Sequence, residues 1–353
     1  MGGPGQRRRF VSGSIPLSPV RPSEEQLVAT PPDLDNEPTQ LGTTRSASGV
    51  RLGDRIFRGS STGAGVFVLV VMAAIGTFLL VRAIPSLTSN ESNVLTTQNF
   101  DPDNNDWGIA ALAYGTLVSS IIALILAVPV AIGIALFISH YAPRRLAVVL
   151  AYVVDLLAAV PSVIFGLWGL RFLSEHILPV ERWINDWFGW IPVFGGSVNS
   201  ASSLFTAGVV LAIMILPIIA AVCREVFLQV PRAHEEAALA LGATRWEMIR
   251  TAVLPFGRPG IISATMLGLG RALGETIAIA LILSPSYTIN ASVLEIGGST
   301  FAANIALRFG EIAETGRSAL IASGLVLFLI TLLVNMGARA VIARRKEFSG
   351  ASA

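Results

Sequence analysis

The amino-acid sequence predicts an all-α integral membrane protein with six transmembrane helices. Of its 353 residues, 53% are hydrophobic and only 14% are charged, and the mean hydropathy is +0.67. Soluble domains carry about 25% charged residues, so an ordinary water-soluble enzyme is a poor fit. Continuous apolar runs of about 20 residues recur along the chain, each long enough to cross roughly 30 Å of hydrocarbon as a helix. Because these runs do not alternate with period two, helices are favoured over the strands of a barrel.

An N-terminal segment precedes the first predicted span. Residues 1–58 are rich in Gly, Pro, Ser and Arg, and they predict a disordered tail because they offer too little apolar surface for a packed core. The membrane domain is predicted over residues 59–345, and residues 346–353 form a short C-terminal tail. The predicted spans cover approximately residues 63–84, 111–138, 146–170, 204–226, 260–283 and 319–342.

Two features accompany the third predicted span. Asp155 lies inside it and is expected either to pair with an arginine of another helix or to reach the inner face of the membrane. Beyond the span, Trp183, Trp187 and Trp190 are spaced by three to four residues. Since Trp favours the membrane–water boundary, they predict a short helix lying at the outer interface.

The distribution of arginine predicts the orientation of the spans. Arginine is concentrated before the first span, after the second and fourth spans, and after the sixth. By contrast, residues 86–108, after the first span, contain no basic residue and include Glu91, Asp101, Asp103 and Asp106. Since cytoplasmic loops carry an excess of Arg and Lys, both termini are predicted to be cytoplasmic. An odd number of spans would destroy this separation of charge.

The residues needed for nucleotide hydrolysis or metal catalysis are not evident. Lys346 is the only lysine and is followed by Glu347, so a Walker A motif is absent and any use of ATP must belong to a partner. His140, His176 and His234 fall in three different predicted loops and cannot form one cluster. No catalytic residue and no metal ligand are therefore predicted, which leaves little support for an intramembrane enzyme.

The longest predicted cytoplasmic loop, residues 231–256, has the pattern of a helix–turn–helix. Gly242 can end the first helix with a positive φ, and Thr244 with Glu247 forms a capping box for the second. Pro255 is expected to end that second helix. One apolar face of the whole loop is predicted to contain Leu239, Trp246, Ile249 and Val253. Such a loop either covers the inner ends of the spans or is moved by another protein.

This loop resembles the EAA motif of ABC importer permeases, which reads E-A-A, three residues, G, nine residues and I-x-L-P. The spacing matches throughout, and the one departure is Ala252, where the family usually has Ile. In that family the loop docks into a groove on a cytoplasmic ATPase, which would bind ATP and Mg²⁺ while the permease itself binds no cofactor. The resemblance implies docking residues at Glu235, Glu236, Ala237, Ala238, Gly242, Ala243, Leu254 and Pro255.

Two full charges, Arg271 and Glu275, interrupt the fifth predicted span. A charge at the centre of a span costs about 2.5–3.5 kcal/mol on insertion scales, so both should face a partner or water. Four residues apart, they should share one helical face, and Gly270 and Gly274 should permit close helix approach. Two interpretations are open: an internal salt bridge that locks the bundle, or an anion path. In the second, the planar fork of Arg271 binds a tetrahedral oxyanion, and Glu275 tunes its availability.

The string G-R-A-L-G-E-T-I-A at 270–278 resembles the permeases of the phosphate-specific ABC importer. The string P-S-V-I-F-G-L-W-G-L at 161–170 is similar to the C-type subunit (PstC) more than to its A-type partner (PstA). The resemblance covers roughly residues 60–345 and implies the type I importer fold, called MetI-like, in the bacterial cytoplasmic membrane. It also implies a substrate pathway that contains Arg271, Glu275 and Thr276.

The same resemblance implies partners. They are a second permease of the PstA type, two copies of an ATPase of the PstB type, and an extracytoplasmic phosphate-binding protein of the PstS type; no nucleic acid is expected. Two alternatives stay open. The chain could pass another oxyanion, such as molybdate or sulfate, or it could report phosphate status as a membrane sensor through its N-terminal tail.

Overall fold

The structure, a computed structural model, describes residues 52–349. The first 51 residues of the predicted disordered tail and the last four of the predicted C-terminal tail lie outside the described residues, whereas residues 52–58 already belong to the first helix. Contacts divide the chain into Met1–Ser61 and Thr62–Ala353, and the arrangement described below concerns the second unit.

The described chain is mostly helical. The helices are α1 Leu52–Ser89, α2 Ala110–Leu136, α3 Arg144–Ala158, α4 Ser162–Trp168, α5 Ser174–Phe188, α6 Leu204–Leu228, α7 Arg232–Ala240, α8 Arg245–Met248, α9 Leu254–Leu273, α10 Ile277–Ile282, α11 Phe301–Arg308 and α12 Glu314–Ser349. Three π-helical turns, Phe137–Tyr141, Gly169–Leu173 and Ile249–Val253, extend or join these helices. The strands β1 Phe100–Asp101 and β2 Asp106–Trp107 form a small antiparallel hairpin.

Six helical segments within residues 52–349 are long and apolar enough to cross a membrane, which confirms the predicted number of spans. They are Ile56–Ser89, Ala110–Tyr141, Ser162–Phe188, Leu204–Leu228, Arg245–Leu273 and Gly316–Ala340. The predicted bounds hold to within a few residues for the second and fourth spans and fail for the third and fifth.

The third span begins at Ser162, not near residue 146 as predicted. Pro161 lacks an N–H and disfavours helix at Val160, so the apolar run is divided into two helices. The first part is α3, whose 15 residues extend only about 22 Å and cannot cross the hydrocarbon layer. The tryptophans do not form a separate helix either, because Trp183 and Trp187 belong to α5, the end of the third span.

The fifth span begins much earlier than predicted and ends sooner. One continuous helix runs from Arg245 to Leu273, so Pro255 does not end the second helix of the loop. Pro255 is the second residue after the π-helical turn Ile249–Val253. The wider spacing of that turn moves the preceding carbonyl away from the proline ring, which lets the helix continue.

Small residues bring α2, α6 and α9 together as the core of the bundle. On α2, fully buried alanines recur every four residues at Ala123, Ala127, Ala131 and Ala135, and they form a stripe that packs on α6. On α9, Gly257 and Gly268 lie so close to Phe227 and Ile219 of α6 that a Cβ atom on either glycine would collide with those side chains. This tight packing fixes the position of α9.

Candidate functional site

The predicted charge pair lies at a break in the fifth span. Arg271 is in the last turn of α9, which ends at Leu273, and α10 begins at Ile277. Glu275 is only 7% exposed, and its Oε1 accepts a hydrogen bond from the backbone N–H of Ala278 at 3.2 Å. The Thr276 hydroxyl donates to the Gly274 carbonyl at 3.1 Å. The carboxylate therefore caps α10, where the helix dipole favours a negative charge.

Arg271 and Glu275 do not form the salt bridge of the structural interpretation. Among the described residues, no carboxylate lies within 4.0 Å of the Arg271 guanidinium. The expectation of a shared helical face was wrong because α9 stops at Leu273, between the two residues. The Nε atom of Arg271 is buried and has no hydrogen-bond partner within residues 52–349. This donor, like Nη1 of Arg224 and Nε of Arg308, is therefore available to a further partner.

Arg271 lines a cavity of about 620 Å³ between three helices. The lining residues are Ile218 from α6; Ser263, Met266, Leu267, Gly270 and Arg271 from α9; and Asn335, Ala338 and Arg339 from α12. Two arginines thus line one space, and the lining residues include no Asp or Glu. The volume is within the range of small-molecule sites, and its charge favours an anion.

The sequence reasoning did not identify Ser263, Asn335 and Arg339 as site residues. Asn335 and Arg339 lie four residues apart in the sixth span, so the rule that flagged Arg271 applies to them as well. What the sequence does not contain is the contact between α9 and α12 that brings these residues to Arg271.

The glycines of the fifth span act differently from the prediction. A Cβ atom on Gly270 would meet no atom within 4 Å, so this glycine leaves space in the cavity instead of allowing close helix contact. A Cβ atom on Gly274 would meet only the backbone of Gly270. The close approaches of α9 occur further back, at Gly257 and Gly268.

The two sequence strings that carry the phosphate-importer resemblance meet in the structure. A Cβ atom on Gly166 of α4 would lie 2.7 Å from the Cα atom of Ala278 in α10. One turn later, Gly169 packs against Ile282 in the same way. The third span therefore holds α10, the helix capped by Glu275, in place.

The predicted helix–turn–helix is present in the loop between the fourth and fifth spans. Helix α7 ends before Gly242, which has φ +86°. The capping box is complete: Thr244 Oγ1 accepts from the Glu247 N–H at 3.3 Å, and Glu247 Oε2 accepts from the Thr244 N–H at 2.8 Å. These contacts hold a short, ordered turn between α7 and α8.

The proposed docking residues are only partly accessible. Glu236, Ala237, Gly242 and Pro255 are exposed, whereas Glu235, Ala238, Ala243 and Leu254 are half-buried. The predicted apolar face also divides, because Ile249 and Val253 are fully buried in the bundle core while Leu239 and Trp246 remain exposed. Leu241, which the sequence did not single out, is 89% exposed.

Polar contacts join the helix ends that lie near this loop. His140, in the π-helical turn that follows α2, places Nε2 3.5 Å from Oε1 of Glu235 in α7. Asp155 of α3 lies 3.5 Å from the guanidinium of Arg224 in α6, which confirms the expected pairing of this carboxylate with an arginine of another helix. The loop helix α7 is therefore joined to the end of the second span.

Comparison with known proteins is consistent with this architecture. Residues 127–347 match the family model described as the binding-protein-dependent transport system inner membrane component. The phosphate transport system permease protein PstC 2 of Mycobacterium tuberculosis is 48% identical over 300 residues, which cover 82% of this chain and 92% of that protein. PstC of Xylella fastidiosa is 39% identical over 303 residues, with 83% and 92% coverage.

A solved structure shares the fold at low sequence identity. It is a bacterial ABC transporter involved in the import of the acidic polysaccharide alginate. The TM-score is 0.51 with 18% identity, and the match covers 82% of this chain and 99% of the other.

Proposed function

Since this chain belongs to the family of binding-protein-dependent transport system inner membrane components, within the group of the PstC permeases, we propose that it carries inorganic phosphate across the cytoplasmic membrane. It is a multi-pass membrane protein and a transport component, not an enzyme. The observation that carries the choice of ligand is the cavity lined by Arg271, whose buried Nε atom has no hydrogen-bond partner among the described residues.

The chemistry of Arg271 fits phosphate. Its planar guanidinium can donate two parallel hydrogen bonds to a tetrahedral oxyanion, and low surrounding polarity strengthens each of them. Glu275 is engaged with the N-terminus of α10, so its negative charge does not neutralise Arg271 directly. Thr276 lies in the same break between α9 and α10, but it is not among the residues that line the cavity, and its hydroxyl donates to the Gly274 carbonyl.

The continuous helix of the fifth span supports mechanical coupling to an ATPase. It starts at Arg245, next to the exposed Leu241 and Trp246, and carries Arg271 about 39 Å away. A force on the loop would therefore be transmitted along a single rigid element to the anion site. We propose that two copies of a PstB-type ATPase, which bind ATP and Mg²⁺, dock on the loop and drive the change between two states.

The remaining partners follow from the same assignment. A PstA-type permease would complete the passage, and a PstS-type binding protein would deliver phosphate to the outer end. The most apolar stretch of α1 has no buried residue, which leaves its surface for lipid or the second permease. We also propose that both termini lie in the cytoplasm, because the arginine-rich segments are expected on that side of the membrane.

Uptake by the reconstituted complex tests this function. Proteoliposomes that contain the two permeases and the ATPase are supplied with binding protein on the outside. They should accumulate labelled phosphate only when ATP is enclosed in the lumen, on the side of the ATPase. A large excess of molybdate or sulfate should leave this uptake unchanged. Strong competition by either anion, together with its own ATP-driven uptake, would assign the chain to another oxyanion instead.

A further inference from the structure

The cavity that holds Arg271 is lined by one face of each of two helices. On α9, the lining positions 263, 266, 267, 270 and 271 follow helical spacing, so they form a single stripe. On α12, Asn335, Ala338 and Arg339 do the same. The space is therefore a groove between two stripes, and Ile218 of α6 also lines it.

The groove extends from Arg271 towards the end of the molecule that carries the docking loop. Ser263 precedes Arg271 by eight residues, which places it about 12 Å nearer to the start of α9. Arg339 is in the last turn of the sixth span, Gly316–Ala340. Arg271 and Arg339 therefore lie towards opposite ends of the groove. Asn335 lies about 6 Å from Arg339 along the axis of α12.

An anion that leaves Arg271 along this groove needs further polar partners. Apolar walls such as Met266 and Leu267 cannot replace the water that a charged ligand has lost. Several sites of moderate strength also permit release, whereas one strong site would retain the ligand. Asn335 and Arg339 provide donors in this position, and no carboxylate among the side chains that the structure describes pairs with Arg339.

We propose that Asn335 and Arg339 form a second anion site, which receives phosphate from Arg271 on its way to the cytoplasm. The inference rests on the proposed function and adds to it two ligand-binding residues and a route. The groove from Arg271 to Arg339 is the inner vestibule of the passage, and α12 forms one of its walls.

Cysteine labelling tests the route without relying on transport. The native Cys223 is fully buried, and Cys223→Ala provides the background. In that background, an anionic methanethiosulfonate should modify Asn335→Cys from the cytoplasmic side, and inorganic phosphate should slow the reaction. Met336→Cys, on the adjacent residue but outside the groove, is the matched control and should show no effect of phosphate. No labelling of residue 335, or labelling that phosphate does not affect, would overturn the proposed vestibule.

Substitutions of Arg339 test whether its positive charge attracts anions into the groove. Arg339→Gln should slow modification of Asn335→Cys by the anionic reagent and not by a cationic one. It should also lower the maximal rate of phosphate uptake by about tenfold or more, with the half-saturating concentration unchanged, because a charged donor is lost from the inner site. Arg339→Lys should restore part of the rate. Arg145→Gln, which removes an exposed arginine outside the groove, should transport normally.

The outcomes separate the two proposals. If the wild-type complex takes up phosphate, and Arg339→Gln changes neither the modification of Asn335→Cys nor the rate of phosphate uptake, the second site is wrong and the transport function stands. If the wild-type complex takes up no phosphate, the proposed function itself fails.

Discussion

The carboxylate of Glu275 accepts a hydrogen bond from the backbone N–H of Ala278 at 3.2 Å, so it caps α10 and does not neutralise Arg271. The two charges of the fifth span thus have separate tasks. Glu275 stabilises the restart of the helix after the break, and Arg271 keeps its guanidinium available to an anion in the adjoining cavity.

The capping role of Glu275 predicts an effect on stability. Glu275→Ala should destabilise the protein by about 1 kcal/mol, because the first turn of α10 loses its acceptor. Glu275→Gln retains a side-chain oxygen and should cost less. Thermal unfolding of the purified complex measures the difference, with Glu311→Ala in an exposed loop as the control. Equal loss of stability in the Ala and Gln variants would contradict the cap.

The exposed apolar side chains of the loop predict an ATPase contact. Leu241 is 89% exposed and Trp246 is 56% exposed, and burial of a side chain of this size contributes about 1.5–3 kcal/mol. Leu241→Ser and Trp246→Ala should each weaken co-purification of the ATPase at least about tenfold. Leu95→Ser, at an exposed leucine in the segment between the first two spans, is the control. Undiminished binding by the double variant Leu241→Ser/Trp246→Ala would remove this surface from the docking site.

The contact between His140 and Glu235 predicts a loss of coupling. It joins α7 to the π-helical turn that follows α2 at 3.5 Å, so its removal should loosen the loop without removing the ATPase contact. His140→Gln and Glu235→Gln should each lower the phosphate transported per ATP hydrolysed, and the double variant should be no worse than either single one. Additive losses would show that the two residues act independently. Glu91→Gln, in the segment after the first span, should keep the wild-type ratio.

The stability of the hairpin of β1 and β2 should depend on pH because of the carboxyl group of Asp106. Hydrogen bonds from Ser92 and from Asn99, the latter at 2.9 Å, hold the pKa of this carboxyl below its ordinary value. A lowered pKa in the folded state stabilises the hairpin above the unfolded value of about 3.9, and this stabilisation is lost as the pH falls through the folded value. Hydrogen exchange of residues 90–107, corrected for the intrinsic rate, should rise below about pH 4. Asp106→Asn should show a weaker dependence, and an identical profile would exclude Asp106 as the cause.

The sequence predicted those parts of the fold that depend on local properties. Six spans follow from apolar length, and the turn at Gly242 and Thr244 follows from cap chemistry over a few residues. The third span was misplaced because hydropathy alone does not separate α3 from α4, whereas Pro161 does. The break after Leu273 was missed for a related reason, since G-E-T lies within an apolar run that reads as one helix.

Features that depend on long-range packing could not be read from the sequence. Arg271 was recognisable as a charge in a span, but its neighbours Asn335 and Arg339 come from a helix more than 60 residues away. Similarly, neither of the two sequence strings alone predicts the contact of Gly166 with Ala278. In both cases the residues were identifiable as unusual, and only the helix packing showed what they face.

The most direct test of the central claim is phosphate uptake by the Arg271→Gln complex in proteoliposomes. The account predicts that the ATPase still co-purifies with this variant and that ATP-driven uptake falls at least about tenfold, because an anion in the cavity loses a charge-assisted hydrogen bond worth about 1.5–3 kcal/mol. Arg145→Gln should transport at the wild-type rate. Wild-type uptake by Arg271→Gln, or phosphate entry at the same rate without ATP, would contradict the account.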